Sequence, residues 1–426
     1  MSKAVTNSSA ANTTTADILI IGAGIIGVCC ARTLQLNGHR VTLLDREGIG
    51  AACSHGNAGV LCSWSFDPAA KPGLWKELPR WLADPLGPIA LRPSHLPKML
   101  GWLWQFIRNT QSNRQAKSAA ALFTLNNPTV EMFRQLLQGS GHESLVQDAF
   151  YLFATRNGKR LNLNQLPWQR RLQAGATVEA IDAATLGEIE PHLSKEYVKA
   201  ILVHGQGRVT NPGRLVKVIG DKVLSSGGRF IQTAVHELIP RTGGAVTVST
   251  QNGSIEAKQV VVASGAWSSR LTAKLDLNIP LQAERGYHME FANPGVQLNN
   301  SVNDVDRAFV ASSMAGGLRC AGTSEFTELE AAPNWRRADI MKRLGKAMLP
   351  GLNVDEGTPW MGLRPALPDS VPIIGPAGHH PGIFLAFGHG HYGLSGAPMT
   401  ARIIGALIGA ERMNIDISAY SVERFT

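Results

Sequence analysis

A glycine-rich turn near the start of the chain constrains the fold more than any other feature. An apolar run over residues 17–21 leads into Gly22, Gly24 and Gly27, in the spacing G-x-G-x-x-G. Gly22 permits a tight turn, Gly24 lets the backbone approach a pyrophosphate, and Gly27 lets the next helix pack closely on the sheet. Asp45 ends a second apolar run, 21 residues beyond Gly24, where a carboxylate can accept hydrogen bonds from ribose hydroxyls. This order of elements predicts a βαβ unit that binds an adenine dinucleotide.

The helix after this turn adds to the prediction. Its first turn offers free N–H groups and the positive end of the helix dipole to phosphates. We therefore expect the dinucleotide to contact the turn, the start of the helix and the end of the second strand. The candidate binding residues in this unit are Gly22, Gly24, Ile25, Ile26, Gly27, Asp45 and Arg46.

The composition is that of an ordinary globular protein and narrows the range of partners. The length of 426 residues suggests two domains, and 44% hydrophobic and 17% charged residues are usual values. The net charge is +9, but the basic residues are scattered and no nucleic-acid motif accompanies them, so we expect no nucleic-acid partner. The five cysteines form no C-x-x-C pair and no zinc spacing, which predicts no metal site, reduced thiols and a cytoplasmic protein.

The N-terminus differs in composition from the rest of the chain. Residues 1–16 are rich in Ser, Thr, Asn and Ala and contain one lysine, which predicts a disordered tail rather than a signal peptide. The sequence has no apolar run of about 18 residues, so we expect no membrane-spanning segment.

Apolar runs that enter glycine turns recur far from the first unit. Residues 259–262 precede a Gly-Ala turn, and residues 382–387 precede a glycine-rich loop and a predicted helix over 397–409. Residues 281–291 alternate in polarity, which predicts an edge or antiparallel strand. One nucleotide-binding sheet is therefore expected to collect strands from distant parts of the chain.

These patterns predict an α/β (α+β) fold with two domains. A Rossmann-like cofactor domain is built from discontinuous segments, and a second domain with a mixed sheet binds the substrate. The expected cofactor domain comprises residues 17–90, 195–270 and 360–426. The expected substrate domain comprises residues 91–194 and 271–359.

Four further motifs carry a family resemblance. They are Ser54-His-Gly-Asn57-Ala58-Gly59, Gly265-Ala-Trp267-Ser268, Trp360-Met-Gly362-Leu-Arg364-Pro365 and Gly388-His389-Gly390-x-x-Gly393-Leu394-Ser395. With the first glycine turn, they resemble the superfamily of FAD-dependent D-amino-acid oxidases and dehydrogenases. Arg285-Gly-Tyr287-His288 is similar to the bacterial branch of D-amino-acid and hydroxyproline dehydrogenases. The resemblance covers nearly the whole chain after residue 16.

The resemblance implies non-covalent FAD as the dinucleotide, bound by a Rossmann-like FAD-binding domain. Glycine loops around the flavin would supply N–H donors without side-chain bulk. In relatives with covalent flavin a histidine directly precedes Ala-Ala-Gly, whereas here Gly56 and Asn57 follow His55. The further expected cofactor contacts are Ser54, Asn57, Ala58, Gly59, Gly265, Trp267, Gly362, Gly388, His389, Gly390, Gly393, Leu394 and Ser395.

The resemblance also implies a reaction and a carboxylate-binding residue. Hydride would pass from the α-carbon of a small amino or imino acid to flavin N5, and the resulting imine would be hydrolysed. Such a substrate has to be held by its carboxylate, for which the planar guanidinium of an arginine is suited. Arg364 lies at the family's arginine position and is the first candidate catalytic residue.

Tyr287 and His55 are the other candidate catalytic residues. The Tyr287 phenol would hydrogen-bond the substrate's carboxylate, the alternative being a half-buried strand tyrosine. His288 would then point to the opposite face of the strand and is interpreted as structural. His55 lies in a loop expected beside the flavin and is a candidate substrate contact. His389 and His391, in the last glycine loop, are interpreted as loop residues positioned by their glycines, and Tyr392 lies beside them; for these three residues the sequence does not separate packing from substrate contact.

The segment from Arg92 to Arg108 combines basic residues with Trp102, Trp104 and Phe106. One interpretation is a helix that lies on a membrane surface, on the inner face of the cytoplasmic membrane, and serves a quinone pool. The other, which we favour, is an ordinary helix that buries its aromatic side chains against the second domain.

Three functional hypotheses follow from the sequence. The first is a dehydrogenase of small amino or imino acids, of D-amino-acid or hydroxyproline type, that passes electrons to a quinone or another respiratory acceptor. The second is an oxidase of glycine or sarcosine type that reduces O2. The third is the flavoprotein subunit of a multi-subunit electron-transfer dehydrogenase.

Overall fold

Two β-sheets organise the described part of the chain, one with eight strands and one with ten. The computed structural model describes residues 14–71, 73 and 87–425. The strands, in chain order, are β1 (Thr14–Ile21), β2 (Val41–Asp45), β3 (Val60–Leu61), β4 (Ile89–Leu91), β5 (Val146–Thr155), β6 (Val178–Asp182), β7 (Lys199–Val209), β8 (Arg229–Gln232), β9 (Val235–Pro240), β10 (Val246–Thr250), β11 (Gly253–Val262), β12 (Gln282–Phe291), β13 (Ser301–Asp304), β14 (Phe309–Met314), β15 (Gly317–Phe326), β16 (Gly357–Ala366), β17 (Ile373–Ala377) and β18 (His380–Phe387).

Ten α-helices accompany these strands within the described residues. They are α1 (Ile25–Leu36), α2 (Leu96–Arg108), α3 (Ser112–Asn126), α4 (Thr129–Leu137), α5 (Leu166–Gln173), α6 (Ala183–Ile189), α7 (Pro212–Ser225), α8 (Ser268–Ala273), α9 (Arg336–Met348) and α10 (Gly393–Ile408).

The first sheet collects strands from distant parts of the chain, as predicted. Its order is β17-β18-β11-β1-β2-β8, with β10 on β11 and β9 on β10. From β18 to β8 the neighbouring strands are parallel. The apolar runs predicted at 259–262 and 382–387 therefore lie side by side, as the ends of β11 and β18.

Burial on both faces explains why β1 is a continuous apolar run. Ile18 and Ile20 pack into one core cluster together with side chains of α1, α7 and α10. Leu19 and Ile21 pack into another cluster, on the opposite face of the sheet. A strand covered on both faces gains from apolar residues at every position, which favours a parallel sheet.

The second sheet is mixed, and most of its strands come from the segments predicted to form the substrate domain. Its order is β16-β12-β15-β14-β13-β5-β7-β3, with β4 on β15 and β6 on β7. The pairs β13–β5 and β15–β4 are parallel, and the other pairs are antiparallel. β12 is antiparallel, as one of the two alternatives for 281–291 predicts, but it lies between β15 and β16 rather than at an edge.

The structure departs from the predicted boundaries at the start of the first sheet and at four strands of the second sheet. The first sheet begins at Thr14, so residues 14–16 pair with β11 instead of belonging to a tail. The rest of that predicted tail lies outside the described residues. β3, β4, β7 and β16 belong to the second sheet, although the predicted segments 17–90, 195–270 and 360–426 assign all or most of each strand to the cofactor domain. Among the described helices, none is both long and apolar enough to cross a bilayer.

Candidate active site

A cavity of about 1340 Å³ lies between the ends of the first sheet and one face of the second. It exceeds the roughly 300–1,000 Å³ of ordinary small-ligand pockets. Most of the predicted site residues line it: Gly22, Gly24, Ile25, Ile26, Asp45, Arg46, Ser54, Asn57, Ala58, Gly265, Trp267, Tyr287, Gly362, Arg364, His389, Gly390, Gly393, Leu394 and Ser395. The predicted residues outside this lining are Gly27, His55, Gly59 and Gly388.

The glycine turn has the geometry that the sequence predicts. Gly22 adopts a positive φ of 108°, and its N–H donates to the carbonyl of Leu44 at 2.7 Å. A Cβ on Gly27 would lie 1.8 Å from the carbonyl oxygen of Gly22. Gly27 is therefore required by the close approach of α1 to the turn, although it does not itself line the cavity.

Two side chains from other segments converge on this turn. The Asp45 carboxylate accepts a hydrogen bond from the N–H of Ala23 at 2.7 Å. The Ser54 hydroxyl accepts one from Ile25, the first residue of α1, at 3.0 Å. The predicted ribose-binding acid and the predicted loop serine thus lie at the two ends of the same glycine turn.

A second turn, after β11, borders the end of the cavity that the Gly22–Gly24 turn also borders; we call this the dinucleotide end. β11 stops at Val262, and a short 3-10 helix carries Gly265 and Trp267 into the cavity. The guanidinium of Arg46 lies over the Trp267 ring, 3.9 Å from its centroid. Two predicted cofactor contacts, one directly after β2 and one in the 3-10 helix after β11, therefore stack on each other beside the cavity.

The segment that follows the loop at residues 54–59 meets the C-terminal glycine loop at the start of α10. The Ser395 hydroxyl accepts a hydrogen bond from Cys62, just after β3, at 2.9 Å. His389 is buried and bonds the hydroxyl of Thr400 at 2.9 Å. Burial lowers the pKa of His389 to about 3, so its ring is neutral. Because Thr400 donates to the Gly396 carbonyl, the His389 ring is the donor in the shared bond.

The second sheet presents polar side chains to the cavity from two paired strands. Glu284 of β12 lies opposite Arg364 of β16, and His288 lies opposite Trp360. Arg364 donates from Nη1 to Oε1 of Glu284 at 2.7 Å. A Cβ on Gly286 would lie 2.2 Å from Nη2 of Arg364. Gly286 therefore leaves the space in which the guanidinium lies.

His288 belongs to the cavity face, contrary to its interpretation as a structural residue on the far side. Its ring stacks on Trp360 with centroids 4.9 Å apart and bonds the carbonyl of Gly56 at 3.0 Å. Burial, together with nearby Arg319, lowers the pKa of His288 to about 3. The neutral ring must then donate from Nδ1, because a carbonyl only accepts.

Tyr287 borders the cavity, but its side chain points to the opposite face of β12, which contradicts the predicted contact between its phenol and the substrate. Its ring lies in the core cluster under α9, and its hydroxyl donates to Glu325 at 2.5 Å and accepts from Asn334 at 3.0 Å. Burial and Glu325 raise the pKa of Tyr287. Strand alternation separates Tyr287 from His288 as expected, but it does not tell which face borders the cavity.

His55 also lies away from the cavity. The residue is exposed, and its ring packs against the start of α7, where a Cβ on Gly213 would lie 2.6 Å from Nδ1. The neighbouring residues Ser54 and Gly56 line the cavity instead. The expected contact of His55 with substrate is therefore corrected, because the loop turns this one side chain outward.

Glu284 is the centre of the polar cluster and was not among the residues predicted from the sequence. Its Oε1 accepts hydrogen bonds from Arg364 at 2.7 Å, His391 at 2.7 Å and Ser324 at 2.6 Å. Burial alone would raise the pKa of Glu284, but His391 and Arg364 hold this pKa well below its usual range. One sequence signal could have indicated it. Residues 284, 286 and 288 of the predicted strand are a glutamate, a glycine and a histidine, and strand alternation places all three on the same face.

An apolar wall from α2 faces this polar cluster. Trp102 is buried, donates to the carbonyl of Ala366 at 3.2 Å, and stacks on Phe106 with centroids 5.0 Å apart. Met99 and Leu103 also line the cavity. The favoured interpretation of this helix, aromatic side chains packed against the second sheet, therefore holds for one of its faces.

Comparison with known proteins identifies the family. A family model described as "DAO: FAD dependent oxidoreductase" matches residues 17–407. The chain belongs to this family. It is 37% identical to a protein named D-amino-acid oxidase from Bradyrhizobium diazoefficiens, over 96% of this chain and 98% of that protein. It is 27% identical to a D-amino acid dehydrogenase from Rhizobium rhizogenes, over 96% and 99% of the two chains.

A solved structure confirms the fold. The crystal structure of L-proline dehydrogenase from P. horikoshii superposes with a TM-score of 0.76 and 17% identity, over 97% of this chain and 98% of that one. This likeness supports the two-sheet architecture, and the family match shows that the protein is an FAD-dependent oxidoreductase. The cradle formed by Gly22, Gly24, Asp45 and Trp267 fits an FAD, because it combines a helix N-terminus, a strand-end carboxylate and an aromatic wall.

Proposed function

We propose that this protein oxidises a small D-amino acid, or an imino acid of the hydroxyproline type, and passes the electrons to a respiratory acceptor. When bound, FAD supplies the oxidising chemistry by taking a hydride from the substrate's α-carbon at N5. The observation that carries the proposal is the partly exposed guanidinium of Arg364. It lies on the face of the second sheet that borders the cavity, and the glycine loops line the same cavity. The names of the relatives at 37% and 27% identity favour the same substrate class.

Arg364 is suited to bind the substrate's carboxylate. Nη1 is held by Glu284, and Nη2 lies in the space left by Gly286, so the direction of the guanidinium plane is fixed. A fixed fork pairs with both oxygens of a carboxylate and orients the α-carbon, which is the main requirement for hydride transfer. The apolar wall formed by Met99, Trp102 and Leu103 would then face the substrate's side chain.

The cofactor is proposed to bind without a covalent link, through the residues predicted from the sequence. The turn at Gly22 and Gly24, with the start of α1, would hold the pyrophosphate, and Asp45 would hold the ribose. The loops around Asn57, Gly265 and Gly393 would surround the flavin ring. His55, the candidate for a covalent link, points out of the cavity, which favours non-covalent binding.

A substrate panel tests the proposed reaction. Purified protein with FAD would be mixed with a redox dye and with the D- and L-isomers of alanine, arginine, proline and hydroxyproline. We expect dye reduction with at least one D-amino acid or hydroxyproline isomer. Failure of every amino and imino acid to reduce the dye, with FAD bound, would contradict the proposal.

We also propose that the enzyme is cytoplasmic and that α2 holds it on the inner surface of the membrane, where quinone accepts the electrons. Leu100, Trp104 and Ile107 lie along one side of the helix with 59%, 58% and 55% of their surface exposed. No Asp or Glu occurs between residues 85 and 130, where five basic residues occur: Arg92, Lys98, Arg108, Arg114 and Lys117, of which Lys98 lies 3.6 Å from Glu328. An apolar stripe with a basic surround is suited to an anionic bilayer surface.

Vesicle sedimentation tests this surface with a matched pair of variants. Leu100→Gln should weaken binding to phosphatidylglycerol vesicles about tenfold, because burying a leucine is worth roughly 1.5–3 kcal/mol. Leu36→Gln, at the end of α1, changes a leucine of the same exposure, 60%, and should leave binding unchanged. Equal effects of the two substitutions, or no binding of the wild type, would exclude α2 as the membrane contact.

Molecular oxygen is the second candidate acceptor. The relative at 37% identity is named an oxidase, which favours direct reduction of O2. Stopped-flow mixing of the substrate-reduced enzyme with oxygen separates the two acceptors. Slow reoxidation by oxygen and fast reoxidation by a soluble quinone would support the dehydrogenase, and the reverse order would support the oxidase.

A further inference from the structure

One carboxylate oxygen joins three elements of the cavity wall. Oε1 of Glu284 in β12 accepts from Arg364 of β16, from Ser324 of β15 and from His391 of the loop before α10, all within 2.7 Å. Glu284 itself is buried, whereas the His391 side chain is about half exposed and lines the cavity. The cluster therefore places an accessible imidazole beside the guanidinium that is proposed to bind the substrate.

The contact with Glu284 determines which nitrogen of the His391 ring carries the hydrogen. An ionised carboxylate only accepts hydrogen bonds, so Nε2 of His391 must carry a proton in order to bond Oε1. In the neutral ring the free lone pair then lies on Nδ1. His391 is thus prepared to accept a proton, with Glu284 ready to stabilise the imidazolium that results.

The charges of the cluster suit a zwitterion better than an anion. Glu284 neutralises Arg364, so a plain carboxylate meets a pair with no net charge. An amino acid brings an ammonium group next to its carboxylate, within reach of the other members of the cluster. That ammonium must lose a proton before the α-carbon can release a hydride, because the nitrogen lone pair assists the departure.

We propose that His391, held in place by Glu284, accepts this proton from the substrate's α-ammonium group. One N–H bond of the ammonium breaks, one N–H bond forms at Nδ1, and the electron pair stays on the amine nitrogen. His391 is the catalytic base in this step, and Glu284 is a positioning residue. The proposal rests on the proposed amino-acid oxidation and adds a proton acceptor to it.

The other titratable groups around the cluster are less suited to this step. His288 is neutral because burial lowers its pKa to about 3, and its Nδ1 is engaged by the carbonyl of Gly56. Burial raises the pKa of Cys53, so its thiol does not ionise near neutral pH. Asp67 and Arg171, on the same cavity wall, form an ion pair with each other at 2.7 Å.

The pH dependence of turnover tests His391 as a base. With the FAD-bound enzyme, His391→Asn should lower kcat/KM about 100-fold at pH 7, a typical contribution of a general base. The deficit should shrink above the pKa of the substrate's ammonium group, because the amine then arrives neutral. His192→Asn replaces an exposed histidine outside the cavity and serves as the control.

Binding of unreactive probes gives a second readout, independent of turnover. 2-Aminoisobutyrate has an ammonium group but no α-hydrogen, and isobutyrate has only the carboxylate. By calorimetry, Glu284→Gln should weaken binding of 2-aminoisobutyrate and strengthen binding of isobutyrate, each about tenfold, because one buried charge has been removed. His391→Asn should leave isobutyrate binding within about twofold of wild type.

The outcomes separate this proposal from the proposed function. Wild-type enzyme that oxidises no amino acid would remove both. Wild-type enzyme that oxidises an amino acid, with a His391→Asn deficit that is the same at every pH, would remove only the role of His391. Parallel changes in the binding of both probes would do the same, since they would indicate a general disturbance of the cavity.

Discussion

The two ends of the cavity carry glycines for different physical reasons. At the dinucleotide end, Gly22 and Gly27 are required by the backbone: one has a positive φ, and a Cβ on the other would overlap a carbonyl oxygen at 1.8 Å. At the substrate end, Gly286 is required by a side chain, because its missing Cβ leaves space for Arg364. The first kind of site depends on local geometry, and the second depends on which strands become neighbours.

The largest effect is expected at the dinucleotide end. Gly27→Ala places a methyl group against the backbone of the turn, which cannot move without displacing β1 or α1. We expect a loss of about 3 kcal/mol in the free energy of unfolding and loss of bound FAD, measured by thermal unfolding and flavin absorbance. Gly187→Ala is the control, because this glycine in α6 has open space around its Cβ position. Normal FAD content in Gly27→Ala would contradict the close-approach explanation.

A matched substitution at the substrate end should leave FAD in place. Gly286→Ala meets only the far end of a flexible side chain, so the fold adapts by moving the guanidinium of Arg364. We expect kcat/KM to fall about 100-fold through KM, with an unchanged flavin spectrum, because the carboxylate loses a charged hydrogen-bonding partner. Loss of flavin in this variant would remove the distinction between the two ends.

The sequence predicts the dinucleotide end better than the substrate end, because only the dinucleotide end is determined by local geometry. The turn at Gly22, the acid Asp45 and the ends of β11 and β18 follow from motifs within short segments. The partners of Glu284 are Ser324, Arg364 and His391, which lie 40, 80 and 107 residues away. Alternation along β12 separates Tyr287 from His288 but assigns neither to the cavity, since that depends on the packing of α9.

Acid should affect the cavity wall, because it contains two buried neutral histidines. Burial lowers the pKa of His288 and of His389 to about 3, below the ordinary value of 6.5. Between pH 6.5 and pH 3 the unfolded chain therefore binds more protons than the folded protein. The stability that the two neutral histidines contribute is fully present above pH 6.5 and is lost as the pH falls towards 3. Between about pH 6.5 and pH 5, each histidine should lower the free energy of unfolding by up to about 1.4 kcal/mol per pH unit.

Denaturant titrations at pH 7, 6 and 5 measure this dependence. His389→Asn should roughly halve the slope by removing the contribution of the cofactor loop, and His288→Asn should do the same for the substrate face. A slope unchanged in both variants would show that other groups control acid stability.

The smallest effect concerns the contact between Arg46 and Trp267 at the cavity mouth. Arg46→Ala removes a partly exposed guanidinium that stacks on the ring at 3.9 Å. Such contacts are worth about 0.5–1 kcal/mol at exposed sites, so FAD affinity should fall two- to fivefold. Fluorescence titration of the apoprotein with FAD measures the change, and Arg336→Ala, an exposed arginine on α9, is the control.

Anaerobic flavin absorbance tests the central claim that the glycine loops and the β12–β16 face act on one substrate in one cavity. Wild-type protein should show the bands of oxidised flavin, and these should bleach when a D-amino acid is added without oxygen. Arg364→Ala should keep the bands and bleach at least about 100-fold more slowly at the same substrate concentration. Bleaching of Arg364→Ala at the wild-type rate would contradict the account, because the carboxylate would then be held somewhere other than the β12–β16 face.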